Sequence, residues 1–233
     1  MPLSNDTIRR CYPETEFGGY SRVDGTVAFY SRVNALLTPE TRLLDIGYGR
    51  GAGKEDRCEW RRSLQCFKGR VAHVTGIDPD PDAAGNPDLD DFRLIEQPDV
   101  WQVEDGSIDL AVSDFVLEHV EHPDAFLAEC HRVLAPGGHA CFRTPNRFHT
   151  ALTSRVQHGR RDEDVFPTFY RCNSKRAITR RMNAAGFDVT VVRHEAEPAY
   201  LHFSNIAYRL GVLAHRLMPP PLASTLLIFA RKR

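Results

Sequence analysis

The sequence contains no C-x-x-C pair: its six cysteines, Cys11, Cys58, Cys66, Cys130, Cys141 and Cys172, are scattered at irregular spacings. Neither a cysteine-based zinc site nor a disulfide framework fits that distribution, so reduced thiols in a cytoplasmic setting are expected. No run of about 18 apolar residues is present to cross a membrane, and Met1 to Arg10 lacks the apolar core of a secretory signal. An excess of charge of one sign is missing as well. Thirty basic side chains nearly cancel 31 acidic ones, leaving a net charge of -1 and no global field for gripping nucleic acid or an anionic membrane. The basic triplet Arg231-Lys232-Arg233 has no clustered aromatic surface beside it and reads as terminal solvation. The expected partner is a small molecule, with neither nucleic acid nor membrane. Internal repeats and low-complexity segments are absent.

What is present is a chain of 233 residues, 42% hydrophobic, enough for one substantial core. Its pattern alternates. A helical period over Val23 to Leu37 stops near Pro39, and Leu43 to Ile46 is a short apolar run that breaks into glycines. Asp56 to Lys68 is predicted to be a crossover helix and Val71 to Ile77 the next strand. Phe92 to Ile95 is a weak third strand, and Ile108 to Ser113 a strong fourth. A helix through Phe126, Leu127, Cys130, Val133 and Leu134 follows, with Ala135-Pro136-Gly137-Gly138 expected to end it before a strand at His139 to Thr144. The stretch from Pro145 to Arg171 is polar and interrupted by proline. Ser174 to Ala185 then reads as a helix with Gly186 at its C-terminal end. The segments FDVTVVR and STLLIFARK complete seven strands, separated by a helical segment that breaks at Pro219 to Pro221. Such alternation predicts one α/β domain over 1–233 with a doubly wound, mainly parallel sheet. Ligands are expected at the carboxyl ends of its strands.

Chemistry concentrates after the first strand. In Asp45-x-Gly47-x-Gly49-x-Gly51 the glycines permit a sharp turn and close approach of a ligand to the backbone. A carboxylate at Asp45 attracts an ammonium group and repels a pyrophosphate. A dinucleotide remains a rival, because Gly47-x-Gly49-x-x-Ala52 also satisfies the looser dinucleotide fingerprint. Asp78 closes the second strand, where a carboxylate accepts hydrogen bonds from both ribose hydroxyls; Asp80 and Asp82 stand close by.

Joined in order, LLDIGYGRG, GIDPDPDA, EDGSIDLAVSDFVLEHVEHPDAFLAECHRVLAPGG and TPNR resemble a class I, UbiE/UbiG-like S-adenosylmethionine-dependent methyltransferase over roughly Leu43 to Asn146. The resemblance implies a Rossmann-like fold whose sheet ends in a reversed hairpin at the edge. It also implies a cofactor-binding half at about 40–146, with acceptor-side elements at about 1–38 and 147–233. Carried over residue by residue, it places Asp45, Gly47, Gly49 and Gly51 at the methionine and ribose portions of S-adenosylmethionine and Asp78 at the ribose. Ser113, Asp114 and Phe115 fall near the methionine end. The expected acid at the adenine is replaced at the nearest match by Gln97, flanked by Glu96 and Asp99, with Trp101 available to cover a ring; a Gln carbonyl still accepts from an exocyclic amine.

Some relatives bind a divalent ion through E-x-x-E-H, but here Phe115 stands three positions before Glu118-His119. With that carboxylate missing, His119 and His122 are read as capping or packing residues and no metal is expected. A sulfonium methyl is already activated, so the protein has mainly to align donor and acceptor and exclude water. For an acceptor proton the candidates are His119, Asp114 and His149. The acceptor pocket is expected to draw on Tyr12 to Tyr20 and on His158 to Arg171, where Arg160, Arg161 and Arg171 suit an anionic group and Phe166, Phe169 and Tyr170 suit an apolar or sugar ring. Two readings of another kind stand beside the methyltransferase: an NAD(P)-dependent oxidoreductase, and an inert Rossmann-like binding module.

Overall fold

The computed structural model describes residues 4–47, 49, 56, 58–97, 100–157 and 167–233. Its centre is a seven-stranded sheet built from β1 (Arg42–Ile46), β2 (His73–Asp78), β3 (Asp91–Leu94), β4 (Ile108–Asp114), β5 (Leu134–Pro145), β6 (Phe187–His194) and β7 (Thr225–Lys232). The spatial order is β3-β2-β1-β4-β5-β7-β6. All neighbours pair parallel except β7, which runs antiparallel to both β5 and β6. The doubly wound α/β fold and the reversed edge pair are therefore as the sequence predicts.

Helices α1 (Asn5–Cys11), α2 (Gly25–Asn34), α3 (Glu59–Gln65), α4 (Pro123–Val133), α5 (Arg147–Gln157), α6 (Lys175–Ala184) and α7 (Asn205–Arg216) surround it. Both faces are covered, so the inner strands read as continuous apolar runs. One core packs Leu44, Ile46 and Phe142 against Leu127 of α4 and Ile178 and Met182 of α6. The other packs Leu43, Val74 and Val112 against Phe29 and Val33 of α2. A smaller cluster of Tyr12, Tyr208 and Val212 joins α1 to α7.

Local chemistry sets the boundaries. Asp24 caps α2, its Oδ1 accepting from the Val27 N–H at 2.9 Å, which starts that helix two residues inside the apolar period. Ser174 caps α6, and Gly186 follows it at φ +94°, a left-handed position that suits glycine. The Ala135-Pro136-Gly137-Gly138 segment departs from expectation. Helix α4 has already ended at Val133 and the chain enters β5 at Leu134, which pairs with Ile108; pairing resumes between His139 and Leu110. The Pro-Gly-Gly residues thus form an irregularity inside the strand, with Gly137 at φ +74°, rather than the end of the helix.

The parallel topology brings the ends of β1, β2 and β4 side by side, and α5 leaves the same edge after β5. Among the described residues no helix is long and apolar enough to cross a membrane.

Candidate functional site

At the end of β1 the loop is clipped to β2. The Gly47 N–H donates to the Ile77 carbonyl at 2.8 Å, and the Gly49 N–H donates to Asp78 Oδ2 at 2.8 Å. Asp78 Oδ1 accepts from the Asp80 N–H, also at 2.8 Å. Both glycines have positive φ, +71° and +61°. A Cβ at Gly47 would lie 2.3 Å from Val116 Cγ2, whereas one at Gly49 would meet nothing within 4 Å among the described residues. The first glycine is required by packing and conformation. The second has the conformation that suits glycine and is held to Asp78. Gly51 lies outside the described residues.

Asp45 is 5% exposed within β1. Burial, and then the negative charges of Asp114 and Asp78, push its carboxyl well above the usual carboxylate range. A cation arriving above this strand end would relieve that penalty.

The end of β4 carries Ser113, Asp114 and Phe115. Ser113 is 1% exposed, and its Oγ has no hydrogen-bond partner among the described residues; an orphaned buried hydroxyl calls for a ligand or water. Asp114 is held by Arg143 of β5, with Nε to Oδ1 and Nη2 to Oδ2 both at 2.5 Å. The Tyr30 hydroxyl also donates to Oδ2, at 3.2 Å. Asp114 thus joins α2, β4 and β5, and service as a proton acceptor would require opening this pair. Arg143 further donates to Thr26 Oγ1 at 3.0 Å and lies 4.7 Å from the centre of the Phe115 ring. Phe115 has φ +55° and is 43% exposed, an unusual backbone for an aromatic residue and one that holds its ring out beside the loop.

Gln97 is exposed beyond β3 and bridged to Val100. The chain leading to it is tied to the same corner, because the Ile95 N–H donates to the Asp78 carbonyl at 2.9 Å. Asp99 lies outside the described residues. Trp101 does not cover a ring there. It is 3% exposed and meets Phe126 edge-on in the core at 5.2 Å, where its apolar surface is better hidden from water.

The three candidate bases have different partners. His119 follows β4, half-buried, with Nδ1 3.1 Å from the Pro167 carbonyl. His149 is buried on α5, with Nδ1 3.1 Å from the Leu222 carbonyl and its ring against His215. Asp114 lies in the arginine pair. His122 occupies the N-cap position of α4, though its side chain makes no capping bond.

Glu118, which the sequence offers only as the remnant of a metal pattern, and Arg143, which it does not single out, both belong to the site's framework. Glu118 is buried, its Oε2 accepts from Thr144 Oγ1 at 3.0 Å, and burial pushes its carboxyl up to about 7. Its backbone carbonyl accepts from the Phe169 and Tyr170 N–H groups at 2.7 and 3.2 Å, tying the post-α5 segment to the end of β4. The readable signal for Arg143 was a cation inside an otherwise apolar strand. On the acceptor side Tyr20 packs on Trp60 at 4.7 Å. Arg171 is exposed, and Arg160, Arg161 and Phe166 lie outside the described residues.

A family profile described as a methyltransferase domain matches residues 21–192, a span that includes the glycine loop, Asp78 and the end of β4. A probable S-adenosylmethionine-dependent methyltransferase of Mycolicibacterium smegmatis is 30% identical over 150 residues, covering 63% of this chain and 52% of that protein. A ubiquinone biosynthesis O-methyltransferase of Paraburkholderia xenovorans is 32% identical over 143 residues, covering 58% and 57%. The matched region spans about half the length of these curated relatives. A solved S-adenosylmethionine-dependent methyltransferase from Mesorhizobium loti shares the fold with a TM-score of 0.56 at 22% identity, over 88% of this chain and 98% of that one.

Proposed function

The chain belongs to the class I, UbiE/UbiG-like S-adenosylmethionine-dependent methyltransferases, and from that membership we propose that it transfers a methyl group from S-adenosylmethionine to an oxygen or nitrogen of a small molecule. The observation that carries the reading is the corner where the Gly49 N–H is clipped to Asp78 beside the buried acid Asp45.

The residues present fit this cofactor. Gly47 and Gly49 give backbone access, the carboxylate of Asp78 suits the ribose hydroxyls, and Gln97 stands at the same corner for the adenine amine. Asp45 suits the amino acid's ammonium group, and the orphaned Ser113 Oγ and the projecting Phe115 ring suit the methionine portion. An acidic neighbourhood of this kind opposes the pyrophosphate of a dinucleotide. When bound, the cofactor supplies a methyl already activated on a sulfonium.

The protein's part is to align the acceptor, exclude water and take a proton where the acceptor is a hydroxyl. For that proton His119 is the first choice, its ring oriented by the Pro167 carbonyl at the end of β4. Asp114 serves through Arg143 as a positioning residue, and His149 stands with another set of neighbours. The near balance of charge supports a small acceptor over a nucleic acid.

Calorimetric titration with S-adenosylhomocysteine and, separately, NADH tests the reading. Micromolar binding of the first alone is expected, lost in Asp78→Ala and in Gly49→Val. Binding of NADH instead would move the chain to the oxidoreductases, and binding of neither would leave the inert module.

A further inference from the structure

Away from the corner at β1 and β2, a second group of chemistry-bearing side chains gathers where α5, α7 and the segment after β6 meet. His149 of α5 and His215 of α7 are 4% and 6% exposed. Glu195 directly follows β6. One ligand atom from each of the three lies within 4.8 Å of the others. The two imidazoles cross at 82° with their ring centres 5.2 Å apart.

The hydrogen bonds select which atoms face inward. His149 Nδ1 is 3.1 Å from the Leu222 carbonyl, so as a donor there it leaves Nε2 as the nitrogen available to the cluster. His215 Nε2 is 2.9 Å from the Tyr200 hydroxyl, and its Nδ1, 3.1 Å from the Ala196 carbonyl, is the ring nitrogen that faces Glu195. That Nδ1 stands 2.7 Å from Glu195 Oε1, yet the geometry makes no hydrogen bond, and among the described residues this buried oxygen has no hydrogen-bond partner. A buried carboxylate oxygen without a donor is unfavourable. Close to an imidazole nitrogen, it is relieved by a cation that both can share.

We propose that His149 Nε2, His215 Nδ1 and Glu195 Oε1 form a binding site for a divalent transition ion of the zinc class. Two imidazoles and one carboxylate are a borderline donor set suited to zinc, whereas calcium or magnesium would want more oxygens. The ring separation fits. With Zn–N bonds of about 2.0–2.1 Å, ring centres stand about 3 Å from the ion and about 5 Å from each other at a tetrahedral angle. The outward nitrogens have the partners that such ligands usually have, a backbone carbonyl for His149 and the Tyr200 hydroxyl for His215. Nδ1 of His215 also lies 3.1 Å from the Ala196 carbonyl. Ion binding moves the ring proton to Nε2, which then donates to Tyr200 Oη, so no net proton is released by this ring. The side chain of Glu195 is 24% exposed and gives the ion a way in. Three protein ligands leave a fourth position for water or another oxygen ligand. The ion would join three segments that are distant in sequence.

The test is Zn2+ titration of the full-length protein, stripped beforehand with a chelator, in competition with a chromophoric chelator. One ion per chain at micromolar affinity or tighter is expected, and Co2+ in its place should give the intense visible bands of a four-coordinate site. Glu195→Gln and His215→Asn should each weaken Zn2+ binding by more than about 100-fold, beyond what loss of an outer partner causes. His73→Ala, an exposed histidine elsewhere, should change nothing. If His215→Asn fails to give the parent's circular dichroism spectrum, the nearly isosteric Glu195→Gln decides. Absence of stoichiometric binding, binding that survives Glu195→Gln, or binding lost in His73→Ala would each overturn the site.

Discussion

Glu118 carries a carboxyl that the fold prefers to keep protonated. Burial raises it from 4.5 to about 7, and its hydrogen bond from Thr144 only partly offsets that rise. The unfolded chain releases this proton at lower pH than the folded one. The associated stability is therefore complete below pH 4.5 and is lost as pH climbs through 7, up to about 3 kcal/mol over that window. Urea denaturation at pH 5 and pH 8 should show Glu118→Gln gaining on the parent by roughly that amount as pH rises; an unchanging gap would mean the carboxyl titrates normally. Residues of this kind mark the limit of reading from sequence. Asp45, Gly47, Gly49 and Asp78 were legible because each is tied to a strand end by spacing alone. The Asp114–Arg143 pair was not, since its members are 29 residues apart and meet only through the pairing of β4 with β5. Nor was the displacement of Trp101 into the core, which depends on Phe126 arriving from α4.

Among the elements, α7 shows how different two faces of one helix can be. Tyr208 is fully buried and its hydroxyl donates to Glu197 Oε1 at 2.5 Å, while Ile206, Leu210, Leu213 and Leu217 are 55–76% exposed. Truncating Tyr208→Ala opens a cavity and strips a donor from Glu197, a loss of about 3–5 kcal/mol. Leu213→Glu, on the open face, should stay within about 0.5 kcal/mol of the parent. Chemical denaturation of both variants checks the contrast, and a large loss from Leu213→Glu would show that this face packs against something in solution. From sequence alone the apolar period identifies the helix but does not say which apolar residues it buries. Helix α6 is legible almost to the residue because Ser174 and Gly186 frame it. Helix α5 is not legible in the sequence, since Pro145 and the charged stretch after it hide a helix that has tertiary contacts such as His149 with Leu222.

At the scale of the whole molecule, the last strand in sequence is not the last in space. β7 lies between β5 and β6 and is antiparallel to both, with Leu226, Leu227 and Ile228 at most 1% exposed. Beyond its ladder, the Lys232 ammonium donates to the His131 and Leu134 carbonyls at 2.6 and 2.7 Å, fastening the strand to the end of α4. The sheet therefore cannot close until the final segment is in place. Without β7, β5 would present a bare edge and β6 would have no partner, and such edges promote aggregation. Ending the chain after Ser224 should give insoluble or unfolded protein by circular dichroism, whereas removing only Arg233 should leave the melting transition within a few degrees of the parent's. A soluble, cooperatively melting chain that stops at Ser224 would show that the parallel strands β3-β2-β1-β4-β5 hold the fold without their reversed edge. The glycine corner at β1 and β2 would then have to be treated as a self-sufficient unit.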